Sequence, residues 1–215
     1  MHDTEPISPI GRRIHVVGNS ASGKSTLAMR LAEALDARFV ELDALNWQPG
    51  WVSLHDTDSG ELDRRMRQET GGERWVVAGS YMSHSQRAFW DRLDAVIWLD
   101  LRMALLLGRV LRRTWRRWRS RELLWGTNYE RFWPQFLVWK KHESLLAWIV
   151  TQHARKRRNM VKYLSDPRWS HIRFVRLTSA REVEAFAAAV EDAVGAEPLG
   201  AAARRVEPDS AGAPG

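Results

Sequence analysis

The chain has 215 residues, enough for one domain with a substantial core and short for two. It contains no cysteine, which excludes disulfides, thiolate zinc sites and thiol redox chemistry. Its 33 basic against 26 acidic side chains give a formal charge of +7, which favours anionic partners such as nucleotides, nucleic acid or lipid headgroups without choosing among them.

The opening MHDTEPISPIGRR lacks the apolar stretch of a secretory signal, and no apolar run approaches the roughly 18 residues that span a bilayer. A cytoplasmic protein with no membrane partner is expected. Residues 1–11 read as a flexible N-terminus, 12–195 as a single domain, and 196–215, built of Ala, Gly, Pro and charge, as a disordered tail.

In chain order, RIHVVG (13–18) is a short apolar run ending in Gly and reads as a buried strand. The residues GNSASGKS (18–25) follow, and then KSTLAMRLAEAL (24–35), which sets Leu27, Leu31 and Leu35 on one helical stripe. RFVELD (38–43) is a second strand, and 61–69 a short charged helix ending at Gly71-Gly72. RWVVAG (74–79) and AVIWLD (95–100) are the third and fourth strands. Residues 102–119 form a long amphipathic helix, and 128–164 a Trp-rich helical region broken at Pro134. IRFVRL (172–177) is the fifth strand, and 179–194 a closing helix with Ser179 as its N-cap. Strands alternating with helices predict an α/β fold of three layers, a parallel sheet with helices on both faces.

Residues 18–25 fit G-x-x-x-x-G-K-[ST] between an apolar strand and an amphipathic helix, the context this phosphate-binding loop requires. Glycines let the backbone approach phosphate oxygens with no Cβ in the way. Amides of residues 20–25 then point inward as an anion nest at a helix N-terminus, and Gly18, Asn19, Ser20, Ala21, Ser22, Gly23, Lys24, Ser25 and Thr26 are the predicted ATP-binding residues. Lys24 is expected to reach the β- and γ-phosphates, and the Ser25 hydroxyl to ligate Mg²⁺. Thr26 either bonds the α-phosphate or is an ordinary first-turn residue.

Seven arginines fall within RVLRRTWRRWRSR (109–121) with no acid among them. Arg109, Arg112, Arg113, Arg116 and Arg117 recur at i, i+3, i+4, i+7 and i+8 and so share one helical face. Leu107, Val110, Leu111, Thr114, Trp115 and Trp118 form the opposite stripe. One helix can therefore lie apolar side down and turn guanidiniums toward the cradle as phosphate clamps. The same row also suits contact with a nucleic-acid backbone, or a merely solvated face. HARKRR (153–158) is a second basic run, either a solvated helix face or further clamps through Arg155 and Arg158. Most of the 12 tryptophans read as core and helix-contact residues, with Trp47 and Trp51 as candidates to stack on a planar acceptor. The histidines at 2, 15, 55, 84, 142, 153 and 171 show no ligand spacing and read as packing or surface residues.

With these motifs in place, VVGNSASGKSTLA, ELDALNWQPGW, RWVVAGSY and LLLGRVLRR together resemble the adenylate-kinase-like P-loop kinases. The likeness is greatest to the group labelled DNA topology modulation proteins, and residues 14–113 and 172–190 carry it. The resemblance implies a five-stranded parallel sheet of order 2-3-1-4-5 and a helical Arg/Trp-rich lid insertion at about 109–165. It also implies that Arg109 and Arg113 hold the nucleotide phosphates and that the turn Ser179–Arg181 contacts adenine. Two positions depart from it. Adenylate kinases keep an Asp at the end of strand three and an Arg four residues later, where this chain has Ala78 and Met82. A nucleoside monophosphate is therefore not the expected acceptor. Asp43 becomes the nearest carboxylate for metal and acceptor, with a helix or turn cap as its structural alternative, and Asp100 could assist the metal.

The resulting expectation is an ATP- and Mg²⁺-dependent kinase acting on a small hydroxyl- or phosphate-bearing acceptor. Its catalytic residues would be Lys24, Asp43, Arg109 and Arg113, with Arg181 at the nucleotide and Ser25 and Asp43 at the metal. Trp47, Trp51 and Tyr81 would wall the acceptor pocket. The alternatives are a nucleic-acid-binding ATPase or regulator, and a nucleotide-gated interaction module with poor turnover.

Overall fold

In the computed structural model the described residues are 10–120, 123–124, 128–129 and 145–195. Their elements run β1 (Arg13–Gly18), α1 (Lys24–Ala34), β2 (Arg38–Glu41), α2 (Leu42–Asn46), β3 (Trp47–Gln48), β4 (Val52–Ser53), α3 (Leu54–Thr57), α4 (Ser59–Glu69), β5 (Trp75–Ala78) and α5 (Met82–Ala88). They continue with β6 (Ala95–Leu99), α6 (Met103–Ser120), β7 (Leu123–Leu124), β8 (Asn128–Tyr129), α7 (Leu145–Leu164), β9 (Arg173–Leu177) and α8 (Ala180–Gly195).

The main sheet has the order β2-β5-β1-β6-β9, and every neighbouring pair in it is parallel. Counted along the sheet's own strands this is 2-3-1-4-5, as expected. β1 is central because its apolar residues face both ways: Ile14 and Val16 enter one core cluster and Val17 the other. The first cluster packs α1 and α8 against the sheet through Leu27, Leu31 and Ala187. The second lies beneath α4 and α5, with Leu62, Met66, Trp75, Phe89 and Trp90 among its members. Coverage on both faces explains why the inner strands β5 and β6 read as apolar runs, while the edge strands β2 and β9 carry exposed charged residues.

Several expected boundaries move. Ile10 is buried, and Gly11 lies against the Asp94 side chain with φ 106°, so the packed domain begins before residue 12. β2 stops at Glu41, and Asp43 sits in the first turn of α2, not at a strand end. The sequence reading also lacked the β3–β4 hairpin and the helices α2, α3 and α5, each too short for a periodic signal to emerge. Residues 128–129 pair as a strand with 123–124, where a helix was expected. The break at Pro134 and the tail at 196–215 lie outside the described residues.

The long basic helix departs from the expected orientation as well. Leu106 and Val110 are buried, but Leu111, Trp115 and Trp118 are 40%, 50% and 41% exposed. The apolar stripe is thus seated only in the first half of α6. Farther along, its aromatic residues face outward beside the exposed Arg112, Arg116 and Arg119.

Candidate nucleotide and phosphoryl-transfer site

The loop between β1 and α1 has the backbone of an anion cradle. Ala21 and Gly23 take φ of 59° and 94°, left-handed values that only a glycine adopts without strain. Strain retained at Ala21 marks a loop shaped for a purpose beyond connection. Ser22 N–H donates to Asn19 O at 3.2 Å, closing the turn. No side chain caps α1 at Gly23, which leaves its first-turn amides without intrahelical carbonyls and aimed out of the helix end. A Cβ at Gly23 would meet only Arg109 Nη1, at 3.7 Å, so the space above it stays open. The Ser22 hydroxyl and Asn19 Oδ1 are buried with no hydrogen-bond partner among the described residues. This cradle fits a polyphosphate, and Lys24 and Ser25, half-buried in the first turn of α1, are the groups that would face it. Thr26 is exposed on the same turn.

The strand ends fix the loop's surroundings. Ser80 Oγ donates to Gly18 O at 2.7 Å, tying the segment after β5 to the cradle. Ala78 is fully buried and offers no metal ligand. Gly79 must be glycine because a Cβ there would stand 2.6 Å from Leu42 Cβ. That close approach brings α2, and with it Asp43, beside the end of β5.

Asp43 is half-buried, and its Oδ1 accepts a hydrogen bond from Tyr81 Oη at 2.9 Å. Burial raises the Tyr81 pKa well above the phenol range, and the neighbouring charges of Asp43, Glu41 and Asp56 add to the effect. Tyr81 is therefore a fixed donor at neutral pH. Trp47 and Trp51 stand edge to face with centroids 5.4 Å apart on the β3–β4 hairpin that follows α2. Met82 packs against the core instead of facing a charged ligand.

Two lid helices reach the cradle. Arg109 Nη1 donates to Ser22 O at 3.0 Å, so this guanidinium lies on the loop. Arg113, one turn on, is half-buried with an enclosed Nε, whereas Arg112 and Arg116 are exposed. α6 packs against α7, on which His153 and Lys156 are half-buried, Met160 is buried and Arg157 is exposed. Asn19 Nδ2 lies 2.8 Å from His153 Nδ1, and Arg157 Nε 3.2 Å from Asp100 Oδ2. Asp100 is also bound by Arg176, with Nε at 2.9 Å, so it serves as an anchor between two arginines and not as a metal ligand. Arg155 and Arg158 are exposed, as the solvated-face alternative for this run has it, and Lys156 between them is half-buried. Burial, together with the charge on Lys24, pushes the Lys156 ammonium down to about 8, with Asp43 opposing the shift.

His153 and Lys156 are the site residues that sequence reasoning missed. Inside a run of five basic residues no local pattern separates the inward one from the rest. Arg181 is exposed in the first turn of α8, where Ser179 Oγ caps the helix by accepting from Glu182 N at 3.2 Å.

The sheet order, the G-x-x-x-x-G-K-S loop joining β1 to α1 and the basic helices closing over it define a P-loop nucleotide-binding fold. No protein-family model matches the chain. Among curated proteins it is similar to the shikimate kinase of Synechococcus sp. (strain RCC307), 34% identical over 127 residues that cover 51% of this chain and 64% of that protein. It is also similar to the shikimate kinase of Gloeobacter violaceus, 36% identical over 110 residues, 46% of this chain and 62% of that one. Each match thus spans less than two thirds of its relative. Solved structures with a similar course include a gluconokinase from Sinorhizobium meliloti 1021, with TM-score 0.45, 20% identity and coverage of 87% of this chain and 93% of that one. Another is a shikimate kinase from Acinetobacter baumannii in complex with shikimate, with TM-score 0.47, 16% identity and coverage of 89% and 97%.

Proposed function

We propose that the chain is a kinase that moves the γ-phosphoryl group of ATP to the hydroxyl of a small acceptor. The observation that carries this reading is the open anion cradle between β1 and α1, with Arg109 donating to Ser22 O and Ser80, next to the Tyr81 that bonds Asp43, donating to Gly18 O. The phosphate loop follows β1, and Asp43 follows β2, two strands away in the same sheet. The sequence likeness to shikimate kinases over about half of the chain supports the same class of chemistry.

ATP with Mg²⁺ supplies the phosphoryl group and shields its charge. The chain supplies position and electrostatics, which is most of what phosphoryl transfer asks of a protein. The loop amides and Lys24 hold the phosphates, and the Ser25 hydroxyl is the metal donor on that side. Arg109 and Arg113 bring positive charge over the cradle from α6. Asp43, held by Tyr81, orients the acceptor hydroxyl and takes up its proton. The tryptophan pair and Tyr81 form the acceptor wall.

ATP consumption measured against a panel of small alcohols, sugars, hydroxy acids and nucleosides tests the proposal. Lys24→Ala is expected to cost about 2–4 kcal/mol of transition-state stabilisation, the range for one preorganised electrostatic group. Asp43→Asn is expected to lower kcat by roughly 10²-fold or more while nucleotide affinity is kept. Unchanged turnover in both variants would remove the basis for the assignment.

A second reading rests on the outer face of α6. Arg112, Arg116 and Arg119 are exposed there beside Trp115 and Trp118, a pairing of cations and flat rings suited to single-stranded nucleic acid. It agrees with the resemblance to the group labelled DNA topology modulation proteins.

A further inference from the structure

We propose that His55 determines acceptor specificity, its unprotonated Nε2 taking a hydrogen bond from a second hydroxyl of a neutral, polyhydroxylated acceptor. The inference rests on the kinase reading above and names the class of its substrate. It starts from a buried imidazole that the transfer step does not use. His84 is 2% exposed, and its Nδ1 lies 2.5 Å from Asp63 Oδ1. An ionised carboxylate only accepts, so the proton of that short contact belongs to Nδ1. The charge of Asp63 is already met by Arg87, whose Nε donates to Oδ2 at 2.9 Å. A buried imidazolium would be a second cation on the same carboxylate, so His84 is neutral and its Nε2 offers a lone pair. His55 Nδ1 lies 2.7 Å from that atom and supplies the proton between them. The remaining nitrogen of His55, Nε2, is then an acceptor. It lies on the ring edge away from the buried His84, on a residue that is exposed.

The fold sets this nitrogen beside the acceptor groups. Asn46 is 1% exposed at the end of α2; its Oδ1 accepts from His55 N at 2.8 Å and its Nδ2 donates to Ser53 Oγ at 3.3 Å. That one side chain closes the base of the β3–β4 hairpin, with Asp43 a turn before it and His55 just past the second strand. The His55 ring lies 6.1 Å from that of Tyr81, whose hydroxyl donates to Asp43. Residues 39–63, which carry Asp43, the tryptophan pair and His55, include six acids and no lysine or arginine. A carboxylate or phosphate on the acceptor finds no cation in this segment. A hydroxyl, by contrast, can donate to His55 Nε2 while another is oriented by Asp43.

The experiment measures ATP-dependent phosphorylation of erythritol, myo-inositol, glucose and adenosine against gluconate and shikimate, with the full chain. The neutral compounds are expected to be the substrates. For the best of them, His55→Ala and His55→Asn are expected to raise KM by about 3- to 10-fold, the range for one neutral hydrogen bond, with KM for ATP within about twofold of wild type. Asparagine keeps a donor for His84 and lacks only Nε2, so it separates recognition from a structural role. His55→Gln, which returns an acceptor oxygen near the Nε2 position, is expected to restore most of the lost KM. NMR of the His55 ring should show Nδ1 protonated and Nε2 bare. A wild-type KM in His55→Asn, an equal rise in KM for ATP, or the opposite tautomer would overturn the inference. So would transfer to gluconate or shikimate alone, which would leave the kinase reading intact. Transfer to none of these compounds would remove that reading, and the assignment of His55 with it.

Discussion

His15 lies at the centre of the sheet on β1, fully buried between Gly79 and Trp90. Trp90 Nε1 donates to its Nδ1 at 3.2 Å, which leaves Nε2 to carry the proton toward Gly79 O, also at 3.2 Å. Burial lowers its pKa to about 3 from 6.5, with the Gly79 bond opposing. The folded state therefore refuses a proton that the unfolded chain takes up below pH 6.5. Stability is unaffected by this group above pH 6.5 and falls as pH drops from there toward 3, by up to about 1.4 kcal/mol per pH unit. Urea midpoints between pH 7 and pH 5 check the slope, and His15→Gln should flatten it if the variant folds. The same residue carries function indirectly, because its partner Gly79 is the glycine against which α2 and Asp43 settle. Sequence reasoning placed His15 among packing residues. The tautomer followed only once Trp90, 75 positions away, was seen beside it.

At the scale of elements, the region between β2 and β6 is stitched by a polar chain centred on the buried Asp63 and His84, and not by apolar packing alone. Asp63 on α4 faces His84 on α5 at 2.5 Å, Arg87 reaches the same carboxylate at 2.9 Å, and His84 Nε2 lies 2.7 Å from His55 Nδ1 on α3. Burial by itself would raise the Asp63 pKa, but the bonds from Arg87 and His84 hold it below the usual carboxylate range. A lowered folded-state pKa contributes stability above the unfolded value of 3.8 that disappears as pH falls below it. Asp63→Ala is expected to cost about 1–3 kcal/mol at pH 7, because it strands the buried His84. If Tyr81, whose ring lies 6.1 Å from that of His55 on α3, walls the acceptor site as proposed, the Tm loss should be accompanied by weaker acceptor binding rather than weaker ATP binding. The sequence suggested α4 from its charge and its Gly-Gly stop. It gave no sign of the three-helix network, since Asp63, His84 and His55 are far apart in sequence and carry no motif.

At the scale of the whole molecule, a chain of net charge +7 carries a dense row of arginines on one helix, and they do not all face the same way. Arg109 turns in to the cradle, while Arg112, Arg116 and Arg119 remain outside with Trp115 and Trp118. If the outer face binds single-stranded nucleic acid, log K should fall with log salt at a slope of about −0.7 per phosphate contacted. Arg112→Ala with Arg116→Ala would then reduce that slope by roughly two and leave ATP affinity unchanged. Binding that is absent at physiological salt, or insensitive to these substitutions, would leave the kinase reading to stand by itself.

The cradle at 18–25 and the five strands were legible because their information is local. The phosphate loop is written in glycines at fixed spacing between a strand and a helix, and a sheet buried on both faces needs continuous apolar runs. Composition and helical period likewise marked α1, α6 and α8. Which face of a basic helix meets the cradle is not local. Lys156 and Arg155 are adjacent cations in one basic run, with no local signal for which of them is the more enclosed, and α6 could not keep both its apolar and its basic stripe covered. Those choices were made by Asn19, Asp100 and the core around Met160, which set the rotation of α7 only after the sheet had brought them together. The contact that places Asp43 beside the loop is equally tertiary, because it needs Leu42 and Gly79 to close within a distance that no sequence spacing encodes.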